Sequence, residues 1–295
     1  MHVNRKEKKI LEQMLLINDV GKTFGKTEVL KHIGFKINKG EVYGLIGQNG
    51  AGKTTLLRLI AGLMKPSYGS IGLKTEKKFI GYMPQSCRFD DGMTVQKTIR
   101  FFTDLRGTFA QESLDQLKKL ELDEKKKVKH LSPGQQKKMQ MVIAMAGDPD
   151  FYVLDEPTAG LDPKATEEII HLIRSLHAQG KSILLSSHIL QNIDEVCTSV
   201  AIMDKGELVY DRAVEESYII KTSPLTDDAF SAVRTGYSVT CNTDRSVLVL
   251  KTDKAGLSNF IKQLVSLSVD ILEVSASSVK QIVQEQINGE GVAVG

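Results

Sequence analysis

The sequence predicts an α/β fold: a doubly wound domain with a mostly parallel sheet, a helical subdomain inserted in it, and a small α+β unit behind it. Three observations carry this. Short apolar runs alternate with helical periodicities through the first two thirds of the 295 residues. Several of those runs are apolar throughout, as strands covered on both faces are. The stretch 86–147 has helical period and no strong strand, and beyond residue 218 short strands and helices resume on a smaller scale.

Residues 1–13 form a basic stretch whose apolar part is interrupted by Glu12 and Gln13, so a flexible tail is expected and a secretory signal is not. Met14 directly precedes strand-like "LLINDV" and is a candidate translation start. "VYGLIG" (42–47) reads as a strand, and "TLLRLIAGL" (55–63) as the helix after it. Within 86–147 lies "ELDEKKKVKH" (121–130), a charge run expected to be a solvated surface.

At "HLSPGQQKK" (130–138) Ser132 can cap a helix, Pro133 suits the first helical position, and Gln135 completes a capping box. Met139, Val142, Ile143 and Ala146 continue it at helical spacing. "FYVLDE" (151–156) is the next strand. Asp162 and Pro163 open a helix that carries Ile169, Ile170, Ile173 and Leu176 and stops at Gly180. "SILLSS" (182–187) and "VAIMDKGELVY" (200–210) each read as one strand.

The main domain is expected over 14–217 and the accessory unit over 218–295. In the latter, "SVLVL" and "VDILEV" are strands. Leu257, Phe260, Ile261, Leu264 and Val265 form one helical face, and Val279, Ile282, Val283 and Ile287 another.

Composition excludes some classes. Apolar residues are 41%, charged residues 25%, and the net charge is +3, so nothing in the charge points to nucleic acid and no nucleic-acid partner is expected. Cys87, Cys197 and Cys241 are far apart and odd in number, which speaks against a disulfide framework or structural zinc and for a reducing compartment. No run reaches the roughly 18 apolar residues of a membrane-spanning helix.

Chemistry concentrates at two places. "GQNGAGKT" (47–54) fits G-x-x-x-x-G-K-[ST] between a strand and a helix. Gly47, Gly50 and Gly52 let the backbone curl, so that N–H groups along Gly47, Gln48, Asn49, Ala51 and onward to Thr55 converge on one concavity at a helix N-terminus. Lys53 places an ammonium against terminal phosphates, and the Thr54 hydroxyl can ligate Mg²⁺. The second place is the end of "FYVLDE", where ligands bind in open α/β sheets. Asp155 would hold Mg²⁺ through water, and Glu156 would orient and deprotonate an attacking water.

Taken in order, these residues resemble the nucleotide-binding subunit of ABC transporters, over roughly residues 14–215. The resemblance implies a P-loop NTPase core that uses ATP and Mg²⁺. Phe24 in "KTFGK" stands where an aromatic stacks on adenine. Gln85 in "YMPQ" matches the glutamine that meets Mg²⁺ and the attacking water. "LSPGQ" matches the signature, with Ser132, Gly134 and Gln135 facing nucleotide. Asp162 matches the loop crossing the dimer interface, and His188 in "LLSSH" the switch histidine at the γ-phosphate.

By the same resemblance the partners are a second copy or a homologous ATPase subunit, paired head to tail, and a separately encoded polytopic permease at the cytoplasmic face of the membrane. The chain departs from the pattern twice. Pro133 replaces a glycine, removing one N–H donor. "SYGSIGLKTEKKFIGYMPQ" (67–85) is short, so a hairpin near the adenine side is expected to be trimmed and nucleotide affinity lowered.

A chromosome-scaffold relative would insert a long coiled coil, but Lys53 and Ser132 are only 79 positions apart. A ribosome-acting relative would carry two such domains. A soluble relative serving iron–sulfur assembly, or a regulatory ATP-binding subunit, remains as an alternative. The ending "ILEVSASSVKQIVQEQ" (271–286) resembles the tails of ATPases serving drug, antibiotic-peptide or lipid exporters, which favours an exporter over a methionine-type importer.

Overall fold

The computed structural model describes residues 12–75, 77, 79–188, 196–213, 217–252 and 254–276. The chain divides into two compact units after Arg212.

The first unit holds two sheets. Strands β1 (Gln13–Phe24) and β2 (Thr27–Asn38) form a long antiparallel hairpin, and β4 (Tyr68–Leu73) pairs with the far side of β1. This three-stranded sheet was largely illegible in the sequence. Its apolar residues stand out of simple alternation because Asp19 and His32, both at left-handed φ (53° and 48°), interrupt the pleat. The first strand begins at Gln13, the last residue of the expected tail; the rest of that tail up to residue 11 lies outside the described residues. The short segment 67–85 supplies β4 and then β5 (Gly81–Met83), so one strand stands beside β1 there.

The central sheet runs β5-β6-β7-β3-β8-β9, with β3 Val42–Ile46, β6 Phe151–Asp155, β7 Ser182–Ser187, β8 Ser199–Asp204 and β9 Glu207–Ala213. β5 pairs parallel with β6, β6 with β7, and β3 with both β7 and β8. Every residue of β3, β6 and β7 is buried, which is why their middles read as apolar runs without polar alternation. The run 200–210 is not one strand. Lys205 and Gly206 both take left-handed φ (45° and 86°) and fold it into a β8–β9 hairpin, the two-residue turn that suits the twist of paired strands.

Helix α1 (Lys53–Ile60) begins at Lys53, two residues before the expected start, and buries Leu56, Leu57 and Ile60. Its core joins Leu15, Ile17, Leu30 and Ile33 of the antiparallel sheet to Tyr43, Leu45, Phe151 and Val153 of the central one. Between β5 and β6 lie α2 (Val95–Arg106), α3 (Ala110–Lys119), a 3-10 turn at Val128–His130, and α4 (Pro133–Met145). They share a core of Val95, Ile99, Leu114, Leu117, Met139 and Val142. The Arg106 guanidinium donates to the carbonyls of Ile143, Ala144 and Ala146, satisfying the last turn of α4. Helix α5 (Pro163–Ala178) starts at Asp162, whose carboxylate accepts from the Ala165 N–H at 2.8 Å, and ends before Gly180 at φ 79°.

The second unit runs β10 (Ser217–Thr222), α6 (Asp227–Arg234), β11 (Ser238–Cys241), β12 (Val247–Lys251), α7 (Lys254–Ser266) and β13 (Ile271–Ala276). Its antiparallel sheet has the order β11-β12-β10-β13, a βαββαβ arrangement. Ile220, Leu248 and Leu250 pack against Val233, Phe260 and Leu264 of the helices. β10, α6 and β11 were not anticipated. The expected face of Val279, Ile282, Val283 and Ile287 lies outside the described residues.

Candidate nucleotide site

The loop between β3 and α1 is shaped by contacts that exclude side chains. A Cβ on Gly47 would meet the Met203 carbonyl oxygen at 2.4 Å, and Gly52 caps α1 at φ 105°. Gln48, Asn49 and Gly50 are exposed, Ala51 is buried, and Thr54 and Thr55 are half-buried at the start of α1. Lys53 is 6% exposed, and its Nζ donates to the carbonyls of Gly47 (2.5 Å) and Gln48 (3.1 Å). Burial pushes its pKa below the ordinary lysine range, against the opposing pull of Glu156 and Asp155.

At the end of β6 Glu156 meets this lysine, and Asp155 acts on it through its charge. Asp155 is fully buried; its Oδ1 accepts from Ser186 Oγ at 2.7 Å, and among the described residues its Oδ2 has no hydrogen-bond partner. Glu156 is 3% exposed, lies 3.7 Å from Lys53 Nζ through Oε1, and shares a 2.8 Å hydrogen bond between Oε2 and His188 Nδ1. Its backbone is at φ 50°, a left-handed conformation that costs a non-glycine residue about 1–3 kcal/mol and persists only when its surroundings hold it.

Two groups hold it. Ser186 Oγ accepts the Glu156 N–H at 2.9 Å, and Lys137 Nζ donates to the Glu156 carbonyl at 3.1 Å. The same ammonium donates to the Gln85 carbonyl at 2.8 Å, just beyond β5, while the Gln85 side chain is exposed.

An orphaned, buried carboxylate oxygen on Asp155 suits a hard cation, and Thr54, half-buried at the start of α1, carries a hydroxyl of the same hard-oxygen type. Among the described residues no cluster of three His, Cys, Asp or Glu could hold a metal by itself, so most ligands would be phosphate and water oxygens. That is the habit of Mg²⁺.

Lys53, Glu156 and His188 thus come together directly, Asp155 is joined to Glu156 through Ser186, and Gln85 is tied to them by its backbone. The other expected residues stand elsewhere. Phe24 is 47% exposed at the β1–β2 turn with Lys22 Nζ 5.2 Å from its ring centroid, so it is no core residue. Ser132 caps α4: its Oγ accepts from the Gln135 N–H and its own N–H donates to Gln135 Oε1, both at 3.2 Å. Lys126 also donates to Gln135 Oε1, and Gly134 faces Ala165, where a Cβ would come within 2.9 Å. Asp162 is exposed.

Ser186 and Lys137 were missed from the sequence. The only signal for Lys137 was its place, i to i+4 and i+7, on the stripe of Met141 and Ala144, where a lysine is out of keeping with the apolar pattern.

Comparison with known proteins gives the chain's family. Residues 30–159 match the model of the family described as ABC transporter. An uncharacterized ABC transporter ATP-binding protein of Methanocaldococcus jannaschii is 35% identical over 212 residues, covering 70% of this chain and 80% of that one. The Nod factor export ATP-binding protein I of Burkholderia orbicola is 34% identical over 210 residues, covering 66% and 69%. A solved ATP-binding cassette, described as the dimeric structure of a post-hydrolysis state bound to ADP and Pi, superimposes with a TM-score of 0.61 at 25% identity, covering 68% of this chain and 98% of that one. With the phosphate loop, the paired carboxylates and this kinship together, the chain belongs to the ABC transporter ATP-binding family, as an ATP-hydrolysing cassette.

Proposed function

We propose that this chain is the ATPase subunit of an exporter. Two copies, or one copy and a homologous subunit, would close head to tail around two ATP molecules. They would drive a separately encoded polytopic permease from the cytoplasmic face of the membrane. The observation that carries the reading is the contact of the buried Glu156 carboxylate with both Lys53 and His188.

Lys53 supplies positive charge where the terminal phosphates are received. Glu156 accepts the proton of the attacking water, and His188, on the other oxygen of that carboxylate, orients it and reaches the γ-phosphate. Thr54, Gln85 and, through water, Asp155 would hold Mg²⁺, which would supply charge neutralisation at the phosphates. Phe24, exposed at its turn, is available to stack on adenine. Ser132, Gly134, Gln135 and the α4 N-terminus would complete the site of the opposing subunit, and Pro133 leaves them one donor short. ATP that binds the closed dimer preferentially closes it, and hydrolysis with release reopens it.

Export is favoured by the likeness to a Nod factor export subunit. A membrane partner is favoured by Phe101, Leu105 and Phe109, which expose 53%, 68% and 84% of their surface on the helical subdomain. Among the described residues no helix is long and apolar enough to cross a membrane, so a spanning partner would supply the path.

Glu156→Gln tests the catalytic reading: it should bind ATP, hydrolyse it at least about 100-fold more slowly, and run as a dimer on size exclusion. Normal turnover would place the base elsewhere. Co-purification with a polytopic protein tests the partnership; recovery with a soluble partner instead would overturn it.

A further inference from the structure

We propose that Lys137 is a positioning residue whose ammonium ties the backbone of Glu156 to the backbone of Gln85, so that helix α4 holds the hydrolytic carboxylate in place. The inference rests on the reading of Glu156 as the base.

The geometry is specific. Lys137 lies one turn into the helix that Ser132 caps, is 8% exposed, and spends its donors on two main-chain carbonyls from different parts of the chain. The carbonyl of Gln85 is 52 positions away and that of Glu156 is 19 positions away. An ammonium in such surroundings is costly to bury, and burial depresses its pKa although Asp155 and Glu156 favour the charge. A methionine would fill the same volume without that cost, so packing alone does not account for a lysine here.

What the lysine supplies is a second hold on Glu156. The left-handed φ of that residue is sustained on its N–H side by Ser186 and on its carbonyl side by Lys137. The Ala159 N–H, at 3.3 Å, is another donor to that carbonyl and belongs to the turn that Glu156 itself opens. Because α4 also carries Ser132 and Gly134 at its start, any displacement of its first two turns acts through Lys137 on Glu156 and Gln85 at once. The signature end of the helix and the carboxylate are therefore mechanically linked within one subunit.

The test uses the full chain with Lys137→Met, Lys137→Gln and Lys137→Arg. The Met variant should lower kcat by about 10- to 100-fold, the effect of a catalytic group misplaced by about an ångström. KM and the equilibrium affinity for a fluorescent ATP analogue should stay within about threefold. Arg, which keeps the charge and the donors, should recover most of the turnover.

Hydrogen exchange gives a readout apart from activity. The amides of Glu156 and Ala159 and those around Gln85 should exchange faster in the Met variant, while Met139 to Ile143 of α4 keep their protection. The proposal fails if the Met variant has wild-type kcat and wild-type exchange. It also fails if kcat, affinity and α4 protection fall together, since Lys137 would then only pack the helix. Should the Met variant not fold, the Gln variant is scored by the same criteria. Normal turnover by Glu156→Gln would instead remove the base assignment, and the exchange data would still score the tie.

Discussion

Asp155 and Glu156 are adjacent in the chain and opposite in local fate. Asp155 ends a strand with one oxygen bonded to Ser186 and one unpartnered, while Glu156 turns left-handed and reaches Lys53 and His188. Ser186 links the two, donating to the first and accepting from the second. Ser186→Ala leaves a buried acceptor and a buried N–H unsatisfied, so unfolding in urea should show a loss of about 2–4 kcal/mol together with lower turnover. A change below about 0.5 kcal/mol would mean that other groups hold the turn.

The ring of Phe24 is exposed, not packed, so Phe24→Ala should leave stability and kcat at saturation unchanged. Nucleotide affinity should weaken about tenfold, the scale of one lost stacking contact. Equal affinity by equilibrium titration would leave the ring without a role in nucleotide binding.

At the scale of elements, the starts of α4 and α5 were legible and the β8–β9 turn was not. The α4 capping box and the Asp162 cap of α5 depend on three or four consecutive residues, and the structure forms both. In α4 the proline lies outside the box itself. Pro133→Gly should therefore cost about 1 kcal/mol, mainly through the freer unfolded chain, and leave ATPase turnover equal or higher. A large loss of turnover would show that the proline has a positive role.

The hairpin in 200–210 was hidden because its apolar residues run on through both strands, with only Asp204, Lys205, Gly206 and Glu207 to break them. Gly206 is required there: it is at φ 86°, and a Cβ would meet the Val29 carbonyl oxygen at 2.4 Å. Its N–H also donates to Ala51 at the phosphate loop. Gly206→Ala should thus lower both stability, by more than about 2 kcal/mol, and nucleotide affinity. Calorimetry and nucleotide titration would read these separately.

At the scale of the whole molecule the chain carries distinct cores. One unites the two sheets around α1, one closes the helical subdomain, and one lies under the sheet of the second unit. Phe260 is fully buried in the last and stacks edge-on against Tyr237 at 5.0 Å. Phe260→Ala should cost the second unit about 3–5 kcal/mol, seen as faster hydrogen exchange across β10 and β12, with the exchange of β3 and β6 unchanged. Equal loosening of β3 and β6 would mean that the two units unfold as one.

By itself the sequence determined the phosphate loop, the buried strand with its two terminal carboxylates, and the helices opened by Ser132 and Asp162. Each of these is written in consecutive residues whose spacing has a local physical meaning. Only the tertiary structure decided that Glu156 is left-handed, that Ser186 binds its N–H from 30 positions away, and that Lys137 joins it to Gln85. It alone also decided that β1, β2 and β4 form a separate sheet. These depend on partners brought together by folding, and hydrogen bonds between residues so far apart leave no period in the sequence to be read.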